Sequence, residues 1–126
     1  MAPLRAAGRL DGSIAVQARQ HLGENRFLLD LAERHASVLG VVGWVDLRSE
    51  RVGEQLAECA AHAKFVGVRH VVQDEPDDAF VLGAEFQRGI ARLREFDLTY
   101  DLLVYPRQLP AAVQLVERFP DQPFVL

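Results

Sequence analysis

A chain of 126 residues, 49% hydrophobic and 25% charged, suits one domain with a real core and is not the composition of a disordered segment. Its formal charge of -4, with 14 Lys and Arg scattered among 18 Asp and Glu, leaves no basic stripe to follow a phosphate backbone, so nucleic acid is excluded as partner. No apolar run approaches the ~18 residues of a membrane span and the first residues lack a signal-peptide core, so the expected setting is the cytoplasm.

The opening PLRAAGRLDG reads as the last turns of a helix and a loop into a strand. Asp11-Gly12-Ser13 is a turn signal, and the apolar run Ile14–Ala18 behind it predicts a buried strand. From Glu24 the residues Phe27, Leu28, Leu31 and Ala32 recur at helical spacing, with Asp30, Glu33 and Arg34 on the other side. The valine-rich VLGVVGWVDL, with its strand at Val41–Leu47, is apolar almost without alternation, as a parallel strand covered on both faces should be. Ser49 is the expected N-cap of a second helix facing inward with Val52, Leu56 and Cys59. Cys59 is the sole cysteine, so it makes no internal disulfide and reads as a small buried side chain.

Phe65–Val72 is the next strand, and Ala84–Phe96, with Phe86, Ile90 and Leu93, the third helix. Thr99–Tyr105 is a strand that Pro106 stops, Leu109–Phe119 a fourth helix with Pro110 in its first turn, and Phe124–Leu126 the start of a fifth strand. Strand and helix alternating with short links specify an α/β fold on a parallel sheet. A doubly wound sheet is complete at this length, whereas an eight-stranded barrel needs ~250 residues. Against the open sheet, no helix covers the last strand, no paired acids end the first, and no glycine-rich turn follows any strand.

The phrases DGSIAVQARQ, FLLDLAE, VVGWVDL, FVGVRHVVQDEPD, RGIARL, YDLLVYPRQLP and FPDQPFVL, in this order, resemble the middle of amidohydrolase-related proteins. That group includes L-fuconolactonase, L-rhamnono-lactonase and 2-pyrone-4,6-dicarboxylate hydrolase. The resemblance implies a single incomplete domain over residues 1–126: a partial (β/α)8 TIM barrel holding about strands 2 to 6, from a hydrolase of sugar lactones or similar cyclic esters. It also implies water attacking a carbonyl at the carboxyl ends of the strands, with a divalent metal in the full-length family. The family's His-x-His pair and its later Asp-His are absent from this sequence. No catalytic or metal-ligating residue is therefore assigned, and neither bound metal nor much activity is expected of the chain alone.

By this mapping KFVGVRHVVQDEP is barrel strand four running into its carboxyl-end loop, where the family places substrate contacts. Arg69 and His70 fall on opposite faces by alternation, so one of them points into the barrel. Gln17, Arg69, His70 and Gln73 are the expected substrate-binding residues, with Glu75 beside them. The plainer readings are a buried hydrogen-bonded histidine and an arginine paired with Asp74, Glu75 or Asp77. Trp44 reads as core, Asp46 as a turn residue, and Tyr105 and Arg107 as rim residues. His21, His35 and His62 lack metal-ligand spacing and read as surface. The alternative to an enzyme fragment is a half-barrel module that self-associates through exposed sheet edges or binds a partner.

Overall fold

The computed structural model describes residues 10–126. The helix end expected in the first residues lies largely outside them. Five strands, β1 (Ser13–Val16), β2 (Val38–Gly43), β3 (Phe65–Val71), β4 (Thr99–Leu103) and β5 (Phe124–Val125), form one sheet in the order β1-β2-β3-β4-β5, every pair parallel. Between them run α1 (Leu22–Arg34), α2 (Val52–Ala60), α3 (Ala84–Arg92), continued as a 3-10 turn through Phe96, and α4 (Leu109–Arg118).

This order decides between the two architectures left open by the sequence. A doubly wound sheet reverses strand order at a switch point, which sends helices to both faces. Here the order never reverses, so right-handed crossovers put every helix on the same side. One core cluster accordingly takes in Leu28 and Ala32 of α1, Leu56 and Cys59 of α2, Phe86 and Ile90 of α3, and Ala111 and Leu115 of α4. Val41, Val68 and Tyr100 meet them from the sheet. The chain is a partial (β/α)8 barrel with its described helices packed on one face of the sheet.

Alternation along β1 exposes the opposite, inner face. Ala15 packs toward the core, while its neighbours Ile14 and Val16 are 51% and 38% exposed. Leu39 and Val125 are exposed to a similar degree, at 53% and 50%. Among the described residues, β1 and β5 each pair on one side only.

Several boundaries differ from their expected places: the first strand ends at Val16 and the fourth at Leu103, short of Ala18 and Tyr105, and two further differences have a clear local reason. The strand expected to run to Leu47 stops at Gly43, because buried Asn25 on α1 takes both backbone groups of Trp44: Oδ1 accepts from its N–H at 2.8 Å and Nδ2 donates to its C=O at 2.7 Å. Gly43 makes the approach possible, since a Cβ there would stand 2.2 Å from Asn25 Oδ1. Ser49 is not the N-cap of α2, which is Arg51. The Ser49 hydroxyl instead accepts the Arg51 N–H at 3.0 Å, closing a turn just before the helix. Gly89 on α3 has a similar role to Gly43, because any Cβ would lie 2.0 Å from the Leu47 carbonyl oxygen. The third helix can thus lie directly on the loop after β2.

Candidate functional site

The carboxyl ends of the strands carry the polar groups that the apolar sheet interior lacks. Their arrangement starts with Gln17, one residue past β1 and fully buried. Its amide Oε1 accepts from Arg69 Nε–H at 2.8 Å, and its backbone carbonyl accepts from Arg69 Nη2–H. β2 lies between β1 and β3. The guanidinium therefore bridges two strands that are not neighbours, which a curved sheet allows on its concave side. Two of the five guanidinium N–H groups are used in this grip, and the fork leaves others directed from the same anchored plane.

Asp101 of β4 stands in register with Arg69 of β3. Burial pushes its carboxyl above the usual carboxylate range, and the nearby Arg69 charge opposes that shift without cancelling it. Arg69 and Asp101 thus set a fixed cation beside a half-buried acid on the inner face. Because the folded pKa lies above the unfolded one, Asp101 favours the fold at acid pH, and this contribution is lost as pH rises through the folded value. Asp101→Asn should therefore melt higher than wild type at pH 7, with the difference closing as pH falls toward ~4. Thermal unfolding at a series of pH values checks this, and a lower melting point at pH 7 would contradict it.

The loop after β1 is tied down across the same rim. Gln20 Oε1 accepts the Val71 N–H at 2.7 Å, again spanning from the β1 side to β3. Glu24, in the first turn of α1, accepts the N–H groups of Arg19 at 2.6 Å and Ala18 at 2.8 Å. These bonds, the Arg19 one foremost, hold its carboxyl below the usual range despite some desolvation. At the other side, Gln73 Nε2 reaches the Val104 carbonyl at 3.5 Å, and buried Gln108 donates to Val72 O at 2.8 Å while accepting from Tyr105 N–H at 2.8 Å.

His70 faces away from this cluster. Its buried ring stacks on Phe80 at 5.0 Å and meets the edge of Phe86, which belongs to the core. Trp44 Nε1–H donates to Nδ1 at 3.1 Å, and Nε2 lies 2.8 Å from Glu75 Oε1. Of the four residues singled out by sequence, then, Gln17 and Arg69 are in contact, Gln73 sits on the loop nearby, and His70 is turned into the helical layer. Arg107 pairs with Asp78 at 2.9 Å and lies over the Tyr105 ring. His21 caps α1, its Nδ1 accepting from Gly23 N–H at 2.9 Å.

Sequence reading missed Asp101, Asn25, Gln20 and Gln108. Asp101 carried a signal, a lone acid inside the apolar LTYDLLV; Asn25 carried a fainter one, sitting at helical spacing with Leu28, Leu29 and Ala32. Among the described residues no group of three His, Cys, Asp or Glu side chains is placed to hold a metal ion. No helix among them is long and apolar enough to cross a membrane.

Similarity to known proteins agrees with the geometry. The chain is 50% identical over 109 residues to an L-fucono-1,5-lactonase of Burkholderia multivorans, covering 86% of this chain and 36% of that protein. It is 36% identical over 118 residues to an L-fucono-1,5-lactonase of Burkholderia ambifaria, covering 94% of this chain and 41% of the relative. The chain therefore spans about two fifths of the length of these relatives. A crystal structure of a Burkholderia multivorans amidohydrolase with bound HEPES superposes with a TM-score of 0.92 at 45% identity, over 99% of this chain and 44% of the other. A second crystal structure, of a Burkholderia multivorans amidohydrolase with bound zinc, gives 0.86 at 47% identity over 93% and 41%. A sequence profile of the family described as Amidohydrolase (Amidohydro_2) matches residues 1–126, and the chain belongs to that family.

Proposed function

We propose that this chain is the middle portion of a cytoplasmic lactone-hydrolysing barrel, a single incomplete domain that supplies part of the substrate-binding surface and none of the catalytic groups. The observation that carries the reading is the anchored Arg69 fork. Gln17 fixes the guanidinium plane from β1, which leaves N–H donors pre-aimed on the concave face, where a barrel of this kind binds its ligand. A lactone ring offers carbonyl, ring and hydroxyl oxygens, all acceptors that such a fork can hold. Gln73, on the loop after β3, is in reach of the same rim as a further hydrogen-bonding contact. His70 serves from behind by fixing the rim. The identity to two L-fucono-1,5-lactonases supports a sugar lactone as the substrate class.

The test is a graft. The matching segment of the Burkholderia multivorans lactonase is replaced by this chain's residues, and hydrolysis of L-fucono-1,5-lactone is followed by acid release, with the isolated chain assayed in parallel. A folded graft that hydrolyses the lactone, beside an isolated chain with little activity, is the expected result. A graft that folds but turns over no lactone would remove the reading.

A second reading is favoured by the open sheet edges. Among the described residues β1 and β5 each pair on one side only, which leaves unpaired backbone groups, and Ile14 and Val16 on β1 and Val125 on β5 are exposed apolar side chains beside them. As an isolated species the chain should self-associate through this sheet. Sedimentation velocity should show dimers or larger species at micromolar concentration, shifted toward monomer by Val16→Asp. A wild-type chain that stays monomeric would rule this out.

A further inference from the structure

His70 is bonded to one partner that can only donate and another that, when ionised, can only accept. The Trp44 indole N–H has no lone pair to offer, so Nδ1 at 3.1 Å must hold one. The proton of the neutral ring then lies on Nε2, 2.8 Å from the Glu75 carboxylate. The tautomer follows from the chemistry of the neighbours. Phe80 stacks beneath the ring at 16° between planes, and Phe86 closes its edge.

Three separate pieces of chain meet at this imidazole. Trp44 follows the end of β2, His70 is the penultimate residue of β3, and Glu75 and Phe80 belong to the segment of residues 72–83 that joins β3 to α3. That segment also carries Gln73.

We propose that His70 is a positioning residue whose neutral, Nε2-protonated ring clasps residues 72–83 to the ends of β2 and β3, and that taking up a proton releases Trp44 from the clasp. The inference goes beyond the lactonase reading and does not depend on it.

The release follows from donor and acceptor counting. An imidazolium presents N–H at both nitrogens, so Nδ1–H would face Trp44 Nε1–H, two donors with no acceptor between them. The Glu75 contact changes the other way, gaining a second charge and becoming an ion pair. Protonation thus breaks the link to β2 while the loop stays on β3. The charged and titratable groups facing this ring from the packed elements are few. Glu75 comes from the loop, Arg48 from the turn after β2, 5.1 Å from the Phe80 ring centroid, and Tyr100 from β4, its hydroxyl buried behind Phe86. Arg69 leaves β3 on the opposite face.

Trp44 is the sole tryptophan, so the chain carries its own reporter. Three measurements on the full chain decide the matter. Ring 15N shifts of His70 above neutrality should show protonated Nε2 and bare Nδ1. Trp44 emission should pass through one step as the solution is acidified from above neutrality, and His70→Asn, which keeps an acceptor but takes up no proton, should abolish the step. Trp44→Phe, which removes the donor and keeps an aromatic ring, should speed hydrogen exchange of residues 72–83 without changing α4. A ring protonated on Nδ1, a flat wild-type emission profile, a step that persists in His70→Asn, or unchanged exchange in Trp44→Phe would overturn the proposal. The 15N and emission measurements are made on wild type, so the first two outcomes decide even if the substituted chains fold poorly.

Discussion

Asn25→Leu should cost the fold about 2–5 kcal/mol, a large part of what a domain of this size commonly has in reserve. The replacement has nearly the same volume and more hydrophobic surface, so packing alone predicts little loss. The cost comes from Trp44. Its backbone N–H and C=O point at Asn25 at 2.8 and 2.7 Å and continue no β ladder, since β2 has ended at Gly43. Leucine leaves both groups beside apolar atoms with no partner, at ~1–3 kcal/mol each. Asn25 also donates to Cys59 Sγ at 3.4 Å, joining α1 to α2 over the end of β2. Asn25→Asp keeps an acceptor for the Trp44 N–H, but an ionised carboxylate has no donor for the Trp44 carbonyl and sets a buried charge against it, so it should be less stable than wild type near neutral pH. Urea denaturation ranks the three, and a leucine variant within ~0.5 kcal/mol of wild type would show that these bonds contribute nothing net.

Arg69→Leu, made in the lactonase graft, should lower kcat/KM for L-fucono-1,5-lactone by roughly 10- to 100-fold, the range expected for losing a charge-assisted hydrogen bond to substrate. The same change should destabilise the fold, because Gln17 is fully buried and its Oε1 would lose the Arg69 Nε–H. The two effects separate on inspection of the kinetics. A purely structural role lowers the denaturation midpoint and the amount of active protein while KM stays put; a binding role raises KM in the folded fraction. Arg69→Lys should not restore activity. A lysine ammonium has the charge, but no planar fork to hold the two Gln17 oxygens and still present a donor. Unchanged KM in a well-folded Arg69→Leu graft would remove Arg69 from the substrate site.

These two residues also mark where the sequence was sufficient and where it was not. The alternation of valine-rich runs with helical repeats such as Phe86, Ile90 and Leu93 is written within a few consecutive residues, because side-chain direction follows backbone period. Strands, helices and their order were therefore legible, and so, from seven phrases in sequence, was the resemblance to amidohydrolases. Period two also says that Arg69 and His70 point oppositely. It cannot say which of them faces the concave side, because that depends on which face the helices cover. Helices on one side only, a consequence of the unreversed strand order, put Arg69 inward and His70 against Phe86.

Partners were less legible still. Gln17 and Arg69 are 52 residues apart, and Trp44 and His70 are 26 apart. A polar side chain in an apolar run announces that it needs a partner, as Gln17 and Asp101 do, but not which one. The early end of β2 has the same origin. Nothing within VVGWVDL stops a strand at Gly43, and only an asparagine from a distant helix, admitted by the missing Cβ of that glycine, could take the Trp44 backbone out of the ladder. The sequence by itself determined the elements, their order and the family, since each is encoded by local period and composition. The tertiary structure decided the polar contacts that make a site, since each needs two segments brought together by the curvature of the sheet.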